Sequence, residues 1–210
     1  MNGFSRGQSE YAESMPDLDS LLAEAEEAHG HLCAGQVLGV RMAMLGLERL
    51  GVSDPRGKDR KRLVTFVEID RCMADAISVV TGCRLGKRAL KFRDWGKVAA
   101  TFCDIETGRA VRISARETSK TLAAQLHPEL ATKNQQQMLA YRELSDDDLF
   151  DVRDVRVRLG PEDMPGYKSQ RVNCSECGEG INFGREVRRG DQVVCRACAG
   201  ERYWELPSGR

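Results

Sequence analysis

The segment LVTFVEID (residues 63–70), followed by RCMADAISVVTG (residues 71–82), decides how the fold of this chain is interpreted. β-Branched and aromatic residues dominate the first part, which is typical of a short strand. The second part indicates a short helix from Met73 to Thr81 that ends at Gly82. Cys72 therefore falls just past the end of a strand, where functional side chains commonly gather.

Two helices are predicted on the amino-terminal side of this strand. The first begins after Asp17, a favourable N-cap residue, and runs to about residue 28. The second covers residues 35–50 and ends at Gly51. Gly35 and Gly39 lie at its start, and because they lack side chains, another backbone can approach this helix closely.

On the carboxyl side, helix and strand signals alternate irregularly. β-Prone segments cover residues 88–93, 98–105, 111–113 and 152–159. One long helical stretch covers residues 119–144 and is interrupted at His127-Pro128. The regular strand-helix-strand alternation of a parallel sheet is missing. The predicted class is therefore α+β, with a mixed or antiparallel sheet and packed helices.

The domain organisation follows from a break at PEDMPG (residues 161–166), where two prolines and a glycine interrupt both periodicities. We expect a flexible amino terminus over residues 1–16, a core domain over 17–162 and a small zinc-finger domain over 167–210.

Composition limits the classes of function. Lys plus Arg (32) equals Asp plus Glu (32), which removes any whole-protein electrostatic argument for nucleic acid or an anionic membrane. No apolar stretch approaches the roughly 20 residues that cross a bilayer, and no signal-peptide pattern opens the chain. The expectation is a cytoplasmic protein, in which the eight cysteines stay reduced.

Four of these cysteines form the pattern of a structural zinc site. Cys174 and Cys177 make one CxxC pair, Cys195 and Cys198 make another, and 17 residues separate the pairs. Two redox dithiols and a labile iron centre are the alternatives, and the spacing favours zinc. A hairpin at residues 188–191 followed by a helix at about 197–205 indicates a treble clef.

The same tail offers a second interpretation. Three arginines of the hairpin make its surface basic: Arg185, Arg188 and Arg189. A zinc-finger regulator that binds nucleic acid would use such a surface, but a solvated charged hairpin explains the arginines with fewer assumptions. Nucleic acid is therefore the less favoured partner.

A second cluster of metal-binding residue types lies between the two amino-terminal helices. His29, His31 and Cys33 fall within five residues of a chain that has only three histidines. Cys72 is a natural further ligand, and Cys83 follows a glycine turn nearby. A site with two or three protein ligands keeps an open position and is chemically competent, unlike a closed four-cysteine site.

Single cysteines of this domain are more often buried core residues than ligands. Cys103, beside Phe102 in an apolar strand, is assigned to the core, and His127 is assigned to the surface or a helix end. The cluster of histidines and cysteines taken together favours a functional site.

Several spaced motifs resemble one family. They are HGHLCAG (29–35), CMADAI (72–77), TGCRLGK (81–87) and DWGKVA (94–99), and together they are similar to the FmdE family of formylmethanofuran dehydrogenase over roughly residues 20–160. Some members of that family carry a treble-clef zinc finger after the core domain. The chain departs from the usual family pattern in having Ala34 in place of proline and Arg84 in place of threonine.

The resemblance implies an α+β core that is often a homodimer, and an association with molybdenum or tungsten enzymes of one-carbon metabolism. It also implies a metal-binding cleft at the histidine and cysteine positions. The leading hypothesis is thus an accessory or assembly protein that handles a cofactor and binds a second transition metal, zinc being favoured. The predicted ligands of that metal are His31, Cys33 and Cys72. His29 is a further candidate ligand, and Cys83 is expected close by.

An enzyme that uses the same cleft is the alternative hypothesis. Cys33 or Cys72 would be the thiolate nucleophile or redox centre, and Asp75 a general acid or base. Lys97 or Lys87 would stabilise an anion. Cys83 and Lys87 are the candidate cofactor-binding residues, because the basic run from Arg84 to Lys97 could attract a phosphate-bearing ligand such as a pterin. A solvated strand edge explains this basic run more simply.

Overall fold

The computed structural model describes residues 15–207. The chain divides into two compact units, the first ending at Arg158 and the second beginning at Leu159. The predicted linker at residues 161–166 falls at the start of the second unit. Most of the predicted flexible segment, residues 1–16, lies outside the described residues.

The first unit opens with two helices joined by a four-residue turn. Helix α1 spans Leu18–His29, and the Asp17 side chain accepts a hydrogen bond from the Ser20 N–H at 2.8 Å. It ends at Gly30, whose φ of 93° is in the left-handed region that glycine adopts easily. Helix α2 spans Ala34–Leu50 and has Cys33 as its N-cap.

A five-stranded mixed sheet forms the other layer, with strand order β2-β1-β3-β4-β5. The strands are β1 (Leu63–Val67), β2 (Leu90–Phe92), β3 (Ala99–Asp104), β4 (Ala110–Ala115) and β5 (Phe150–Val155). β1 and β2 are parallel, and the other neighbours are antiparallel. The predicted α+β class with a mixed sheet is confirmed. The two strands that flank the DWGK turn do not pair with each other, because β1 lies between them.

Helix α3 (Cys72–Thr81) follows β1 and packs against the first half of α2. The contact depends on Gly39: an added Cβ there would lie 2.7 Å from the Ala76 Cβ and 2.7 Å from the Met73 carbonyl oxygen. Any side chain at this position would push the helices apart. The amino-terminal ends of α2 and α3 are thus brought together.

Three further helices lie between β4 and β5. They are α4 (Thr118–Leu126), α5 (Lys133–Glu143) and the single turn α6 (Asp146–Leu149). The break between α4 and α5 falls at the predicted His127-Pro128. Arg41 of α2 holds these helices in place by donating hydrogen bonds to the carbonyl oxygens of Tyr141 and Leu144 and to the Asp146 carboxylate. Residues from α5 are thereby held beside α2.

The core lies between the helices and the sheet. Its largest fully buried side chains include Leu21, Leu47, Ile77, Phe102 and Phe150. Burial of such side chains stabilises the fold by about 1.5–3 kcal/mol each.

A buried ion pair connects the residue that follows β1 to strand β4. Glu68, which is 3% exposed, accepts two hydrogen bonds of 2.7 Å from Arg112 on β4. The pair fixes the chain between β1 and Cys72.

The second unit has two short hairpins and a helical turn. β6 (Val172–Asn173) pairs with β7 (Gly180–Ile181), and β8 (Val187–Arg189) pairs with β9 (Gln192–Val194). The hairpin predicted at residues 188–191 is present. The predicted helix at 197–205 is shorter, Ala197–Glu201, because Gly200 has a left-handed φ of 107°. No helix within residues 15–207 combines the length and apolar character needed to cross a membrane.

Replacing Gly39 with alanine tests the close approach of α2 and α3. We expect Gly39→Ala to lower the free energy of unfolding by about 1–2 kcal/mol, since the steric cost exceeds the gain in helix propensity. Gly86→Ala is the matched control, because an added Cβ there would meet no atom within 4 Å. Urea unfolding followed by circular dichroism at 222 nm measures both. Equal stability of the two variants would show that the close approach is not required.

Candidate functional site

Three helix ends deliver the side chains of the amino-terminal cluster. His29 is the last residue of α1, Cys33 is the N-cap of α2 and Cys72 is the first residue of α3. The left-handed turn at Gly30 reverses the chain after His29 and allows Cys33 to return to the same region. The site is therefore built by the packing of three helices.

The metal-binding atoms of His29, Cys33 and Cys72 all lie within 4.8 Å of one another, and each residue is partly buried. We call these three residues the core trio. In a tetrahedral zinc site with bonds of about 2.3 Å, two sulfur ligands lie roughly 3.8 Å apart, so the trio needs little contraction to bind an ion. Two thiolates and an imidazole are a donor set that suits zinc.

Gly35 keeps the space beside the Cys33 sulfur atom and the Cys72 Cβ free of a side chain. An added Cβ at this position would lie 3.3 Å from the Cys72 Cβ and 3.8 Å from the Cys33 Sγ. A larger residue would fill the space between the first turns of α2 and α3. The donor atoms and this space both fit a metal ion.

Asp75 orients the histidine of the trio. Its Oδ2 lies 2.8 Å from the His29 Nδ1, and the carboxylate itself is largely exposed. A carboxylate that holds one ring nitrogen of a histidine fixes its tautomer and leaves the other nitrogen for a metal. The structure thus gives Asp75 a positioning contact, and its role as a general acid or base stays a prediction.

His31 does not belong to the core trio, which corrects the predicted ligand set. Its side chain is exposed, and its ring centroid lies 4.8 Å from that of His29, with the two planes tilted by 44°. An extended turn between the helices would place the alternate residues His31 and Cys33 on one side. Helix α1 instead continues to His29, which takes the place expected for His31.

Two side chains that the sequence analysis missed hold the cysteine segments. The Gln36 Nε2 donates to the Cys72 carbonyl at 3.1 Å, and the Asn134 Oδ1 accepts from the Ala34 N–H at 3.2 Å. Gln36 is fully buried, and its Oε1 has no hydrogen-bond partner among the described residues. A buried glutamine on an apolar helix face was the available signal for Gln36. Nothing in the sequence points to Asn134, which is one hundred positions from Ala34.

The electrostatics of the trio favour a protonated Cys72 thiol in the absence of a cation. Burial raises the pKa of the Cys72 thiol, and the neighbouring Cys33 thiol raises it further. Two adjacent thiolates repel each other, so a bound cation is the natural means of stabilising both.

Cys83 lies away from the trio, contrary to the prediction. It follows the carboxyl end of α3, whereas Cys72 begins that helix, and ten helical residues span about 15 Å. Cys83 is buried with its Sγ 3.5 Å from the Thr65 Oγ1, and this burial raises the pKa of its thiol. It is a core residue, as is Cys103, where burial raises the pKa to about 12.

The two predicted lysines are both exposed. Lys87 belongs to a short turn, Leu85–Lys87, after Cys83. Lys97 follows Trp95 by two positions, and its Nζ lies 5.7 Å from the centroid of the indole ring. Their role in binding an anion stays a prediction.

The second unit contains the predicted four-cysteine zinc site. The sulfur atoms of Cys174, Cys177, Cys195 and Cys198 all lie within 4.8 Å of one another. Backbone N–H groups of Cys177 and Cys195 lower the pKa of the Cys174 thiol to about 6, and the Cys195 N–H lies 3.2 Å from the Cys174 Sγ. Four thiolates close the coordination sphere, so this zinc is structural.

Comparisons with known proteins cover both units. Residues 28–151 match the family model "FmdE, Molybdenum formylmethanofuran dehydrogenase operon". Residues 165–203 match the "Prokaryotic dksA/traR C4-type zinc finger".

One relative and one solved structure align over most of the chain. A "Probable S-adenosyl-L-methionine-binding protein" of Archaeoglobus fulgidus is 29% identical over 94% of this chain and 57% of its own length, so the chain spans little more than half of that relative. The crystal structure of an FmdE-like protein of tungsten formylmethanofuran dehydrogenase, from Syntrophus aciditrophicus, shares the fold, with 23% identity and a TM-score of 0.61. The match covers 90% of this chain and 95% of that one.

The tail site can be tested by removing one thiol. We expect Cys195→Ser to lose one zinc per chain after dialysis, because three thiolates no longer close the site. The second unit should become sensitive to protease, while the helical signal of the first unit is retained. Cys103→Ala, which removes a buried thiol outside both clusters, is the control and should keep its zinc. Unchanged metal content in Cys195→Ser would contradict the assignment.

Proposed function

This chain belongs to the FmdE family of formylmethanofuran dehydrogenase, and from that membership we propose a metal-binding accessory role in the assembly or cofactor handling of molybdenum or tungsten enzymes. The observation that carries the proposal is the core trio with its histidine held by Asp75. The family model and the solved structure point to formylmethanofuran dehydrogenases, and the trio offers the donor atoms that would bind a metal ion.

His29, Cys33 and Cys72 would hold a transition metal, with zinc favoured by two sulfur donors and one nitrogen donor. When bound, such an ion supplies one open coordination position that a ligand of the partner can occupy. Asp75 fixes the imidazole, Gln36 fixes the Cys72 backbone and Asn134 fixes the start of α2. These contacts hold the donor atoms close together before the ion arrives.

The number of donor atoms suits the two sites to different tasks. The core trio leaves one coordination position open, so a competing ligand can reach a bound ion, whereas the four cysteines of the tail close the coordination sphere. The raised pKa of the Cys72 thiol acts in the same direction, because a proton on this sulfur competes with the metal. We therefore expect exchange in the core and permanence in the tail.

An enzyme that uses the same cleft is the second candidate, and the three-ligand set favours it. An open position beside Cys33 and Cys72 allows a substrate to reach the ion or a thiolate. In that case Asp75 would position His29. A regulator that binds nucleic acid has less support, since Arg189 pairs with Glu176 and Arg196 with Glu201.

The accessory role can be tested by affinity capture of the full-length protein from its own cells. We expect the captured material to contain molybdenum or tungsten, measured by mass spectrometry of the metals. The matched control is Cys33→Ala, which removes one donor of the trio and should lower the captured metal. Captured material without either metal would sink the accessory role.

Metal counting tests the core site directly. We expect the full-length chain to bind two zinc ions, and Cys33→Ala or Cys72→Ala to bind one. Asp75→Asn should retain the second ion with an affinity lowered about 10–100-fold, because His29 loses its orienting carboxylate. Asp94→Asn, at an exposed acid outside the cluster, is the control. Equal affinity for Asp75→Asn and Asp94→Asn would remove the role given to Asp75.

A further inference from the structure

His31 is left without a role by the core trio, although it lies beside it. Its side chain is exposed, whereas His29, Cys33 and Cys72 are partly buried. Its ring is 4.8 Å from the ring of His29, yet it is not among the residues whose donor atoms converge on the two sulfur atoms. The arrangement places one imidazole inside the site and one at its edge.

His29 is common to two sets of donors. It belongs to the core trio, and its ring also neighbours that of His31. Two imidazole nitrogens that share a tetrahedral zinc ion lie about 3.4 Å apart, which rings with centroids 4.8 Å apart reach by small rotations. Asp75 contacts the Nδ1 of His29, so the Nε2 of His29 would be the nitrogen that binds an ion in either set.

We propose that His29 and His31 form an outer pair through which a metal ion enters and leaves the core trio, so that His31 sets the rate of exchange and not the affinity. The inference rests on the proposed function. His29 would keep its bond to the ion while a nitrogen of His31 binds the ion and a cysteine sulfur is released from it. The released thiolate takes a proton from water, and no electrons are transferred.

Stepwise exchange of this kind is faster than direct dissociation for a physical reason. On a direct path each released ligand leaves a partly coordinated ion inside the cleft, whereas His31 would take the place of a released sulfur before the next bond breaks. Burial would otherwise make a partly coordinated ion costly inside the cleft. The exposed position of His31 moves that intermediate toward water.

The test compares wild-type protein with His31→Ala and His31→Gln, all full length and loaded with zinc. Stopped-flow transfer to 4-(2-pyridylazo)resorcinol gives the release rate, and competition with the same chelator gives the affinity. The Cys33→Ala variant, which keeps only the tail site, supplies the background. His127→Ala is the matched control, because it removes an imidazole outside the histidine cluster, between α4 and α5.

We expect both His31 variants to release and load the core zinc about tenfold more slowly, with affinity within about threefold of wild type. His127→Ala should match wild type in both rate and affinity. A change in affinity of about tenfold, with an altered cobalt absorption spectrum, would make His31 a permanent ligand and overturn the inference. Unchanged rates and affinity would also overturn it.

Failure of the proposed function gives a different result. If wild-type protein binds only the tail zinc, the core metal site is absent and the inference fails with it. If wild-type protein binds a second ion and the His31 variants exchange that ion at the wild-type rate, the proposed function stands and the inference alone fails.

Discussion

The close contact between helices α2 and α3 is the constraint on which the candidate site depends. Gly39 lets the backbone of α3 approach to a distance that no side chain would allow, and Gly35 keeps the same opening clear one turn earlier. Cys33 and Cys72 each sit at the amino-terminal end of one of these helices. Their sulfur atoms meet because the helices meet.

This geometry sets two electrostatic effects against each other. The amino-terminal end of a helix carries a partial positive charge that favours thiolate, and two such ends converge here. Burial and the neighbouring thiol act in the opposite direction and raise the pKa of Cys72. The outcome is a Cys72 thiol that stays protonated by itself and becomes anionic when a cation is supplied. In the tail site, backbone N–H groups lower the pKa of the Cys174 thiol, while the neighbouring Cys195 raises the pKa of the Cys198 thiol.

Local sequence signals predicted much of the fold. Helix ends at Gly51 and Gly82, the break at His127-Pro128 and the tail cysteine spacing all follow from residues that are close in sequence. The order of the strands was not predictable in this way, because the parallel pairing of β1 and β2 depends on how α3 crosses between them.

The same distinction between residues close in sequence and residues far apart applies to the candidate site. The sequence singled out Cys33 and Cys72, but the choice between His29 and His31 depends on one extra residue of α1. The prediction placed Cys83 near Cys72 because only eleven positions separate them. Helix α3 fills those positions, so the two cysteines lie at its opposite ends. Asn134 could not be found at all, since its contact with Ala34 exists only once α5 packs beside α2.

Asp75 shows how one helix can couple the parts of this site. It lies three residues after Cys72, so a single turn of α3 presents both a candidate metal ligand and the carboxylate that orients His29. The end of α1 is therefore fixed by α3, while the start of α2 is fixed by Gln36 and Asn134. An ion bound by the trio would add a link among all three helices and stabilise the folded unit in proportion to the logarithm of its concentration. Stability and metal occupancy are then properties of the same packing, and a partner that withdraws the ion would also loosen the helix ends that it contacts.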